Sequence, residues 1–299
     1  MVDRTMRGVF PVLSMPFDAQ DRIDIEDLQR EVEWCVRQGV HGLGIALASE
    51  IFKLSESERD QVTRAVVEQV NGRVKVVVNT GAQGSGLAVQ YSRMAEELGA
   101  DAVMVTPPTA MPSTPDETRQ YFRRISDSID VPIFIQDVST APVPPGLAVQ
   151  IARESENACY IKAETPPTAP RVADAKALGG DDLIVFGGAW GYFYLEELRR
   201  GSVGTMPGAV IPEVFTMVWD LFQDGKDLEA TRLFNRYLPL IKSFGPGFGI
   251  AAYLAKEVLR LRGVFKAAHV RHPAARPDDL AFKEIRQLVE SLELEPADV

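Results

Sequence analysis

A lysine and a glutamate two residues apart give the strongest chemical signal in this sequence. They lie in the segment Ala158–Glu164, whose apolar, β-branched character predicts a buried strand. Because side chains alternate across a strand, Lys162 and Glu164 share one face with Tyr160 and are spaced roughly 7 Å apart along the chain. Desolvation lowers the pKa of a buried amine, whereas a charged Glu164 beside it acts in the opposite direction. A neutral amine is what condensation with a 2-oxo acid requires, but a structural Lys–Glu pair at a strand end fits the position equally well.

Polar and small residues at the ends of the other predicted strands form a second group. Ser49, with Ala48 before it, offers a hydroxyl and backbone N–H groups for a substrate carboxylate, although Ser49 can equally cap its own turn. The other candidates stand at or just after strands three to eight, and they are Asn79, Thr106, Thr109, Gln136, Asp137, Gly187, Gly188 and Thr205. Since the loops after the strands of a parallel barrel share one rim, we expect these residues to surround Lys162.

The elements that must position these residues alternate regularly between strand and helix. Eight short apolar runs predict strands at Val9–Leu13, Gly42–Ala46, Val74–Asn79, Ala102–Val105, Pro132–Ile135, Cys159–Ala163, Leu183–Phe186 and Ser202–Thr205. Segments of helical period separate them, and eight such repeats are the number that closes a (β/α)₈ barrel. We therefore expect a barrel over residues 1–224 and a C-terminal helical extension over residues 225–299. The extension has three predicted helices, at Leu228–Ile241, Ile250–Leu261 and Asp279–Leu292.

Residues that start and end helices support this arrangement. Ser55 with Glu58 three residues later predicts a capping box, in which each side chain binds the backbone N–H of the other. Four glycines stand where a helix is expected to end in the left-handed conformation: Gly39, Gly72, Gly99 and Gly179.

Composition excludes several classes of protein. The 299 residues contain 32 Lys and Arg against 42 Asp and Glu, a formal net charge of −10. Without a basic cluster, such a chain does not neutralise nucleic acid or an anionic membrane surface. No apolar run approaches the roughly 20 residues that span a bilayer, the N-terminus lacks an apolar signal segment, and two cysteines provide no disulfide framework. With only three histidines, we expect no His-built metal site, and the composition as a whole predicts a soluble cytoplasmic globular protein.

Several segments occur in a characteristic order along nearly the whole chain. They are Gly8–Val12, Met15–Phe17, Ser49–Glu50, Leu54–Ser55, Glu58–Arg59, Val105–Pro108, Tyr160–Lys162 and Gly201–Pro212. Together they resemble the dihydrodipicolinate synthase / N-acetylneuraminate lyase family. This resemblance implies a (β/α)₈ barrel with a helical extension, usually as a homotetramer. It also implies Schiff-base chemistry on pyruvate or another 2-oxo acid, with Lys162 as the imine lysine and no cofactor or metal.

Departures from the family pattern exclude some of the reactions that the resemblance allows. Where the family has Gly-Thr-Thr-Gly-Glu, this chain reads Ala46–Glu50, and Gln136 replaces the tyrosine that aldolases and synthases carry after strand five. The arginine that synthases use for their second substrate falls near Ala141, so dihydrodipicolinate synthase activity is not expected. A narrower resemblance, to the 2-keto-3-deoxy-L-arabonate dehydratase branch, rests on Ser49–Glu50, Gln136–Asp137 and Lys162–Pro166, while the region of Thr109 differs.

The resemblance and the residues together favour dehydration of a 2-keto-3-deoxy sugar acid. In this hypothesis Lys162 forms the imine, and Glu164 removes a C3 proton and then protonates the departing C4 hydroxyl. Retro-aldol cleavage with release of pyruvate needs a base for the C4 hydroxyl; glutamine cannot supply it, but Asp137 can, so this alternative stays open. A third interpretation is a non-catalytic barrel that binds a 2-oxo acid.

Overall fold

Short parallel strands alternate with helices along the chain. The computed structural model describes residues 2–111, 113–245 and 247–297, and within them it contains eight strands and eleven α-helices. The strands are β1 Gly8–Val9, β2 Gly42–Ile45, β3 Lys75–Asn79, β4 Ala102–Val105, β5 Ile133–Asp137, β6 Tyr160–Ala163, β7 Ile184–Gly187 and β8 Gly204–Thr205. Their order in the sheet is β1-β8-β7-β6-β5-β4-β3-β2.

A helix follows each strand, and three more helices end the chain. The first eight are α1 Ile25–Arg37, α2 Glu56–Val70, α3 Ser85–Glu97, α4 Pro115–Ser126, α5 Pro145–Glu154, α6 Thr168–Gly179, α7 Tyr194–Leu198 and α8 Pro212–Gln223. The last three are α9 Asp227–Lys242, α10 Phe248–Leu261 and α11 Asp279–Ser291. The predicted (β/α)₈ barrel with C-terminal helices is confirmed. Asp298 and Val299, the end of the predicted extension, lie outside the described residues.

Packing divides the chain into two compact units. The first contains Met1–Phe10 and Lys75–Met206, and the second contains Pro11–Val74 and Pro207–Val299. This division does not fall between the barrel and the last helices, so a domain boundary at residue 224 stays a prediction.

Four aromatic rings fill the interior of the sheet in the first unit. Phe134 and Tyr160 stack with ring centroids 4.4 Å apart, and Phe186 meets the edges of Phe134 and Phe10 at 5.3 Å. The Tyr160 hydroxyl accepts a hydrogen bond from the Met6 N–H at 3.1 Å, so its polar end is paired as well. Because these rings face inward, residues two positions further along β5, β6 and β7 also face inward, one layer higher.

The second unit contains a buried acid, Glu50, that is paired with two lysines. Glu50 binds Lys53 at 2.6 Å and also binds Lys256, a residue of α10 that is 1% exposed. Burial lowers the pKa of Lys256 to about 8, against the attraction of Glu50. Glu50 itself has φ 52°, a left-handed conformation that places its backbone between two short 3₁₀ turns.

The predicted helix starts and ends are confirmed with one exception. Ser55 and Glu58 form the capping box at the start of α2. At the end of α6, however, Gly179 stays helical and Gly180 takes the positive φ of 53°. The expectation for Gly179 is wrong by one residue, and packing gives the reason: a Cβ at Gly179 would lie 2.8 Å from the Leu183 Cβ, so this glycine permits a close helix–strand approach.

Candidate active site

Lys162 and Glu164 meet at the carboxyl end of β6. Lys162 lies in register with Gln136 of β5 and Phe186 of β7, and its side chain is 5% exposed. Its Nζ lies 3.1 Å from Glu164 Oε1, and the Glu164 side chain is 14% exposed. The alternation of the strand therefore places the amine one layer above the Tyr160 ring, with a carboxylate that solvent can reach beside it.

Gln136 holds the other oxygen of Glu164 through its side-chain amide. Its Nε2 donates to Glu164 Oε2 at 3.1 Å. Its Oε1 accepts hydrogen bonds from Asn79 Nδ2 at 2.7 Å and from Thr106 Oγ1 at 2.6 Å, and Asn79 also donates to Thr106 at 2.9 Å. Since both of its partners on that side are donors, the amide has one orientation, with its nitrogen towards Glu164. The sequence placed Asn79 and Thr106 at strand ends but gave no sign of this network.

The turn after β7 closes the remaining side of the pair. The Ala189 N–H donates to Glu164 Oε1 at 2.8 Å. A Cβ at Gly188 would lie 2.6 Å from Glu164 Cγ and 2.7 Å from Lys162 Cε, so only glycine fits. Ala189 and Trp190 have φ of 48° and 59°, a left-handed conformation that costs free energy in residues with a Cβ. The backbone is therefore held in a strained form at the point where it contacts the pair.

Gly187 faces the opposite side of β7 and packs against a buried acid. A Cβ there would overlap Glu197 Oε2 and lie 2.9 Å from its Cδ. Glu197 is fully buried on α7, and Thr168 Oγ1 donates to its Oε1 at 2.6 Å. Burial raises the pKa of Glu197 to about 8. No motif in the sequence singles out Glu197, although its position three residues after Tyr194, on the apolar face of α7, indicates a buried acid.

Asp137 does not join the Lys162 group. Its neighbour Gln136 points inward, so Asp137 points outward, where its side chain is 1% exposed. Its carboxylate accepts two hydrogen bonds from Arg171, at 3.0 and 2.8 Å, one from Thr165 Oγ1 at 2.7 Å and one from the Val143 N–H at 2.8 Å. All of its accepting positions are directed to the connection between β5 and α6.

Thr205 and Thr109 also lie apart from the pair. Thr205 is the register partner of Gly187 and shares its outward face, where its Oγ1 is buried without a hydrogen-bond partner. Thr109 is exposed, and Gln83 binds both its hydroxyl, at 3.2 Å, and its N–H, at 3.0 Å. Of the candidates in the first unit, the structure thus brings together Lys162, Glu164, Gln136, Asn79, Thr106 and Gly188.

Ser49 caps its own turn in the second unit. Its hydroxyl donates to the Leu13 carbonyl at 2.5 Å and accepts from the Ala46 N–H at 3.1 Å. Ala48 is half-buried in the same 3₁₀ turn, Leu47–Ser49. The capping interpretation of Ser49 is therefore confirmed, while the proposed contact of Ser49 and Ala48 with a carboxylate stays a prediction.

Neither a metal centre nor a membrane helix is found in the described part of the chain. Across residues 2–111, 113–245 and 247–297, no group of three or more His, Cys, Asp and Glu side chains is placed to hold a metal ion. Within the same ranges, every helix is too short or too polar to cross a bilayer.

Comparison with known proteins gives a consistent family. Residues 5–292 match the Dihydrodipicolinate synthetase family. The L-2-keto-3-deoxyarabonate dehydratase of Azospirillum brasilense is 34% identical over 278 residues, which cover 89% of this chain and 88% of that protein. The N-acetylneuraminate lyase of Citrobacter koseri is 26% identical and covers 97% of this chain and 98% of its own. A solved dihydrodipicolinate synthase from Rhodopseudomonas palustris superposes with a TM-score of 0.88 at 26% identity, over 95% of this chain and 97% of that one.

Proposed function

This chain belongs to the dihydrodipicolinate synthetase family, and on that basis we propose that it is a dehydratase of a 2-keto-3-deoxy sugar acid. Enzymes of this family form a Schiff base on a lysine and use no cofactor. The observation that carries the proposal is the contact of 3.1 Å between Lys162 Nζ and Glu164 Oε1. It joins the amine that forms the imine to a carboxylate that can act on the neighbouring carbon atoms.

The carboxylate first prepares the amine. Glu164 Oε1 takes a proton from the Lys162 ammonium, and the free amine attacks the C2 carbonyl of the substrate. The proton on Glu164 then passes to the hydroxyl of the adduct, which leaves as water. This gives the protonated imine, restores the Glu164 carboxylate, and makes the protons on C3 acidic.

Water is then lost across C3 and C4 with one carboxyl group serving twice. Glu164 removes a C3 proton, the resulting enamine expels the C4 hydroxyl, and the proton on Glu164 goes to that hydroxyl, which leaves as water. Hydrolysis of the unsaturated imine releases the product and restores the lysine. The hydrogen bonds from Gln136 and Ala189 hold both carboxylate oxygens in place for the two transfers.

Two features support dehydration over cleavage between C3 and C4. Cleavage needs a base at the C4 hydroxyl, and Gln136 has no proton-accepting group of suitable basicity. Asp137, the acidic residue next to Gln136 at the end of β5, faces outward, and its carboxylate is hydrogen-bonded to Arg171, Thr165 and Val143. The 34% identity with a 2-keto-3-deoxyarabonate dehydratase supports a five-carbon substrate of the same class.

Reductive trapping tests the Schiff base. The protein is treated with borohydride in the presence of pyruvate or a 2-keto-3-deoxypentonate, digested, and examined by mass spectrometry. We expect a stable adduct on Lys162 and none on a Lys162→Met variant. Wild-type protein that forms no adduct with any 2-oxo acid tested would contradict the proposal.

Product analysis separates the remaining interpretations. Incubation with a set of 2-keto-3-deoxypentonates should give the dehydrated 2-oxo acid without release of pyruvate, whereas pyruvate would indicate a retro-aldol lyase. Glu164→Gln should lower turnover about 10²–10⁴-fold because the acid–base group is lost. If the wild type traps 2-oxo acids but turns none of them over, and Glu164→Gln folds and traps them as well, the chain would be a binding protein.

The assembly state is proposed from the family alone. Family members are generally oligomeric, and we expect this chain to form a homotetramer in solution. Sedimentation equilibrium measures the mass directly, and a monomer at micromolar concentration would contradict this expectation.

A further inference from the structure

Glu197 packs against Gly187, the last residue of β7, on the side opposite the Lys162–Glu164 pair. Its carboxyl group occupies the space that a Gly187 side chain would fill, with its Cδ 2.9 Å from that Cβ position. Its main chain reaches the same strand, because the Glu197 carbonyl accepts from the Ser202 N–H at 3.1 Å and the Ser202 hydroxyl accepts from the Gly187 N–H at 3.1 Å. The Glu197 side chain therefore contacts Gly187 directly, and the Glu197 backbone is linked to Gly187 through Ser202.

Gly188, the first residue after β7, links Gly187 to the Lys162–Glu164 pair. Gly188 packs against Lys162 Cε and Glu164 Cγ, and the strained Ala189 backbone donates to Glu164. A strained turn keeps its conformation only where neighbouring groups fix it. Glu197 contacts the residue that immediately precedes this turn, Gly187.

We propose that Glu197 is a positioning residue: its carboxyl group, wedged against Gly187, holds the Gly188–Ala189 turn against Lys162 and Glu164. The inference rests on the proposed function, since it concerns the geometry of that same pair. Glu197 does not touch the substrate in this scheme and acts only through the turn.

The surroundings of the carboxyl group keep it protonated at neutral pH. Burial raises its pKa to about 8, and the negative charge of Glu164 acts in the same direction. The other charged groups that act on it are Lys162 on β6, which lowers the pKa, and Glu196 on its own helix, which raises it. From α6 it meets a hydroxyl, that of Thr168, which donates to Oε1. The second oxygen, Oε2, is buried without a hydrogen-bond partner among the described residues, and so is the Thr205 hydroxyl on the same face of the sheet.

Loss of that proton would place a second anion behind the turn. A buried carboxylate without a counter-ion is unfavourable, and it repels Glu164 across the turn. The turn would then relax away from the pair. We expect turnover by the wild-type enzyme to fall as the pH rises through about 8.

The test compares two carboxyl-to-amide changes on one helix. Glu197→Gln keeps the shape and a neutral hydrogen-bonding group but cannot ionise, whereas Glu196→Gln makes the same change at an exposed neighbouring position. We expect Glu197→Gln to retain its kcat at pH 7 and to lose the decline near pH 8. Glu196→Gln should keep this decline, at a slightly lower pH, because the charge of Glu196 raises the pKa of Glu197. Glu197→Ala, which removes the wedge, should lower kcat about 10²-fold at every pH with a smaller change in KM.

Borohydride trapping is measured on every variant to separate the two proposals. An adduct in the wild type together with superimposable pH profiles for wild type and Glu197→Gln would overturn the role of Glu197 alone. A folded Glu197→Ala that keeps the wild-type kcat would also overturn that role. If Glu197→Ala does not fold, the profile of Glu197→Gln decides. No adduct in the wild type would remove the proposed function and this inference together.

Discussion

Gln136 has a single orientation because its carbonyl oxygen accepts hydrogen bonds from both Asn79 and Thr106, which leaves its amide nitrogen to donate to Glu164. An amide at this position cannot exchange protons in the reaction, but it fixes the carboxylate that does. A buried hydrogen-bond network of this kind is costly to interrupt, because each donor left without an acceptor loses its pairing with water as well.

Replacing Gln136 by methionine, which has a similar length, should affect both activity and stability. Glu164 loses one of its donors, so kcat should fall about 10²-fold through misplacement of the carboxylate. Asn79 and Thr106 lose their acceptor, which should lower the free energy of unfolding by about 1–3 kcal/mol. Steady-state kinetics and urea denaturation measure the two effects. Gln150→Met, at an exposed position of α5, is the control and should change neither. Unchanged kcat in Gln136→Met would show that Glu164 needs no such support.

At the scale of secondary-structure elements, Asp137 joins β5 to α6. Its carboxylate and the Arg171 guanidinium form a two-point ion pair in which the acid is 1% exposed and the arginine 17%. Asp137→Asn removes the charge and leaves a largely buried guanidinium without its partner, which should lower the free energy of unfolding by about 3 kcal/mol. Asp182→Asn breaks an exposed ion pair, in which the Asp182 side chain is 50% exposed and that of Arg153 57%. It should lower the free energy of unfolding by less than about 1 kcal/mol. Equal losses for the two variants in urea denaturation would contradict this assignment.

Gly188, in the turn after β7, packs so closely against Lys162 and Glu164 that any side chain at this position would force a shift. In Gly188→Ala the new Cβ would lie 2.6 Å from Glu164 Cγ and 2.7 Å from Lys162 Cε, so the catalytic side chains or the turn must move. We expect kcat to fall by about 10²-fold or more and the yield of trapped imine to fall with it. Gly86→Ala serves as the control, because a Cβ at Gly86 in α3 meets nothing within 4 Å and should be neutral or slightly stabilising. Wild-type kinetics in Gly188→Ala would mean that the pair works without this close packing.

At the scale of the whole molecule, buried Glu197 should make stability depend on pH. Its pKa rises from 4.5 to about 8 on folding, so the folded protein keeps a proton that the unfolded chain releases between these values. The free energy of unfolding should therefore fall as the pH rises through this window, by at most about 1.4 kcal/mol per pH unit from this group. Glu33, whose pKa is lowered to about 2 by Arg73, acts below pH 4.5 and outside the window.

Urea denaturation from pH 5 to pH 8 measures this dependence. Glu197→Gln should show a flatter profile than the wild type. Glu196→Gln should keep a decline like that of the wild type because Glu197 can still ionise, with its pKa slightly lower once the charge of Glu196 is removed. Parallel profiles for Glu197→Gln and the wild type would mean that the carboxyl group is already ionised in the folded protein.

The sequence alone determined the order of the elements and the face on which the key side chains lie. Both follow from local regularities: apolar runs separated by helical periods gave eight strand–helix repeats, and the two-residue alternation placed Lys162 and Glu164 on the face of Tyr160. The same alternation separates Gln136 from Asp137, since neighbouring residues of a strand face opposite sides. The family followed from segments spread along the chain, and the family match over residues 5–292 agrees with them.

Only the tertiary structure decided which groups these side chains meet. Asn79 and Gln136 are 57 residues apart, Gln136 and Glu164 are 28 apart, and Asp137 and Arg171 are 34 apart. No local period relates such positions, because they become neighbours through strand pairing and helix packing. The structure therefore assigned Asp137 to an ion pair, Ser49 to a turn and Glu197 to the back of the β7 turn. In each case the polar atom is bonded or confined by a residue remote in sequence, and spacing along the chain carries no information about that distance.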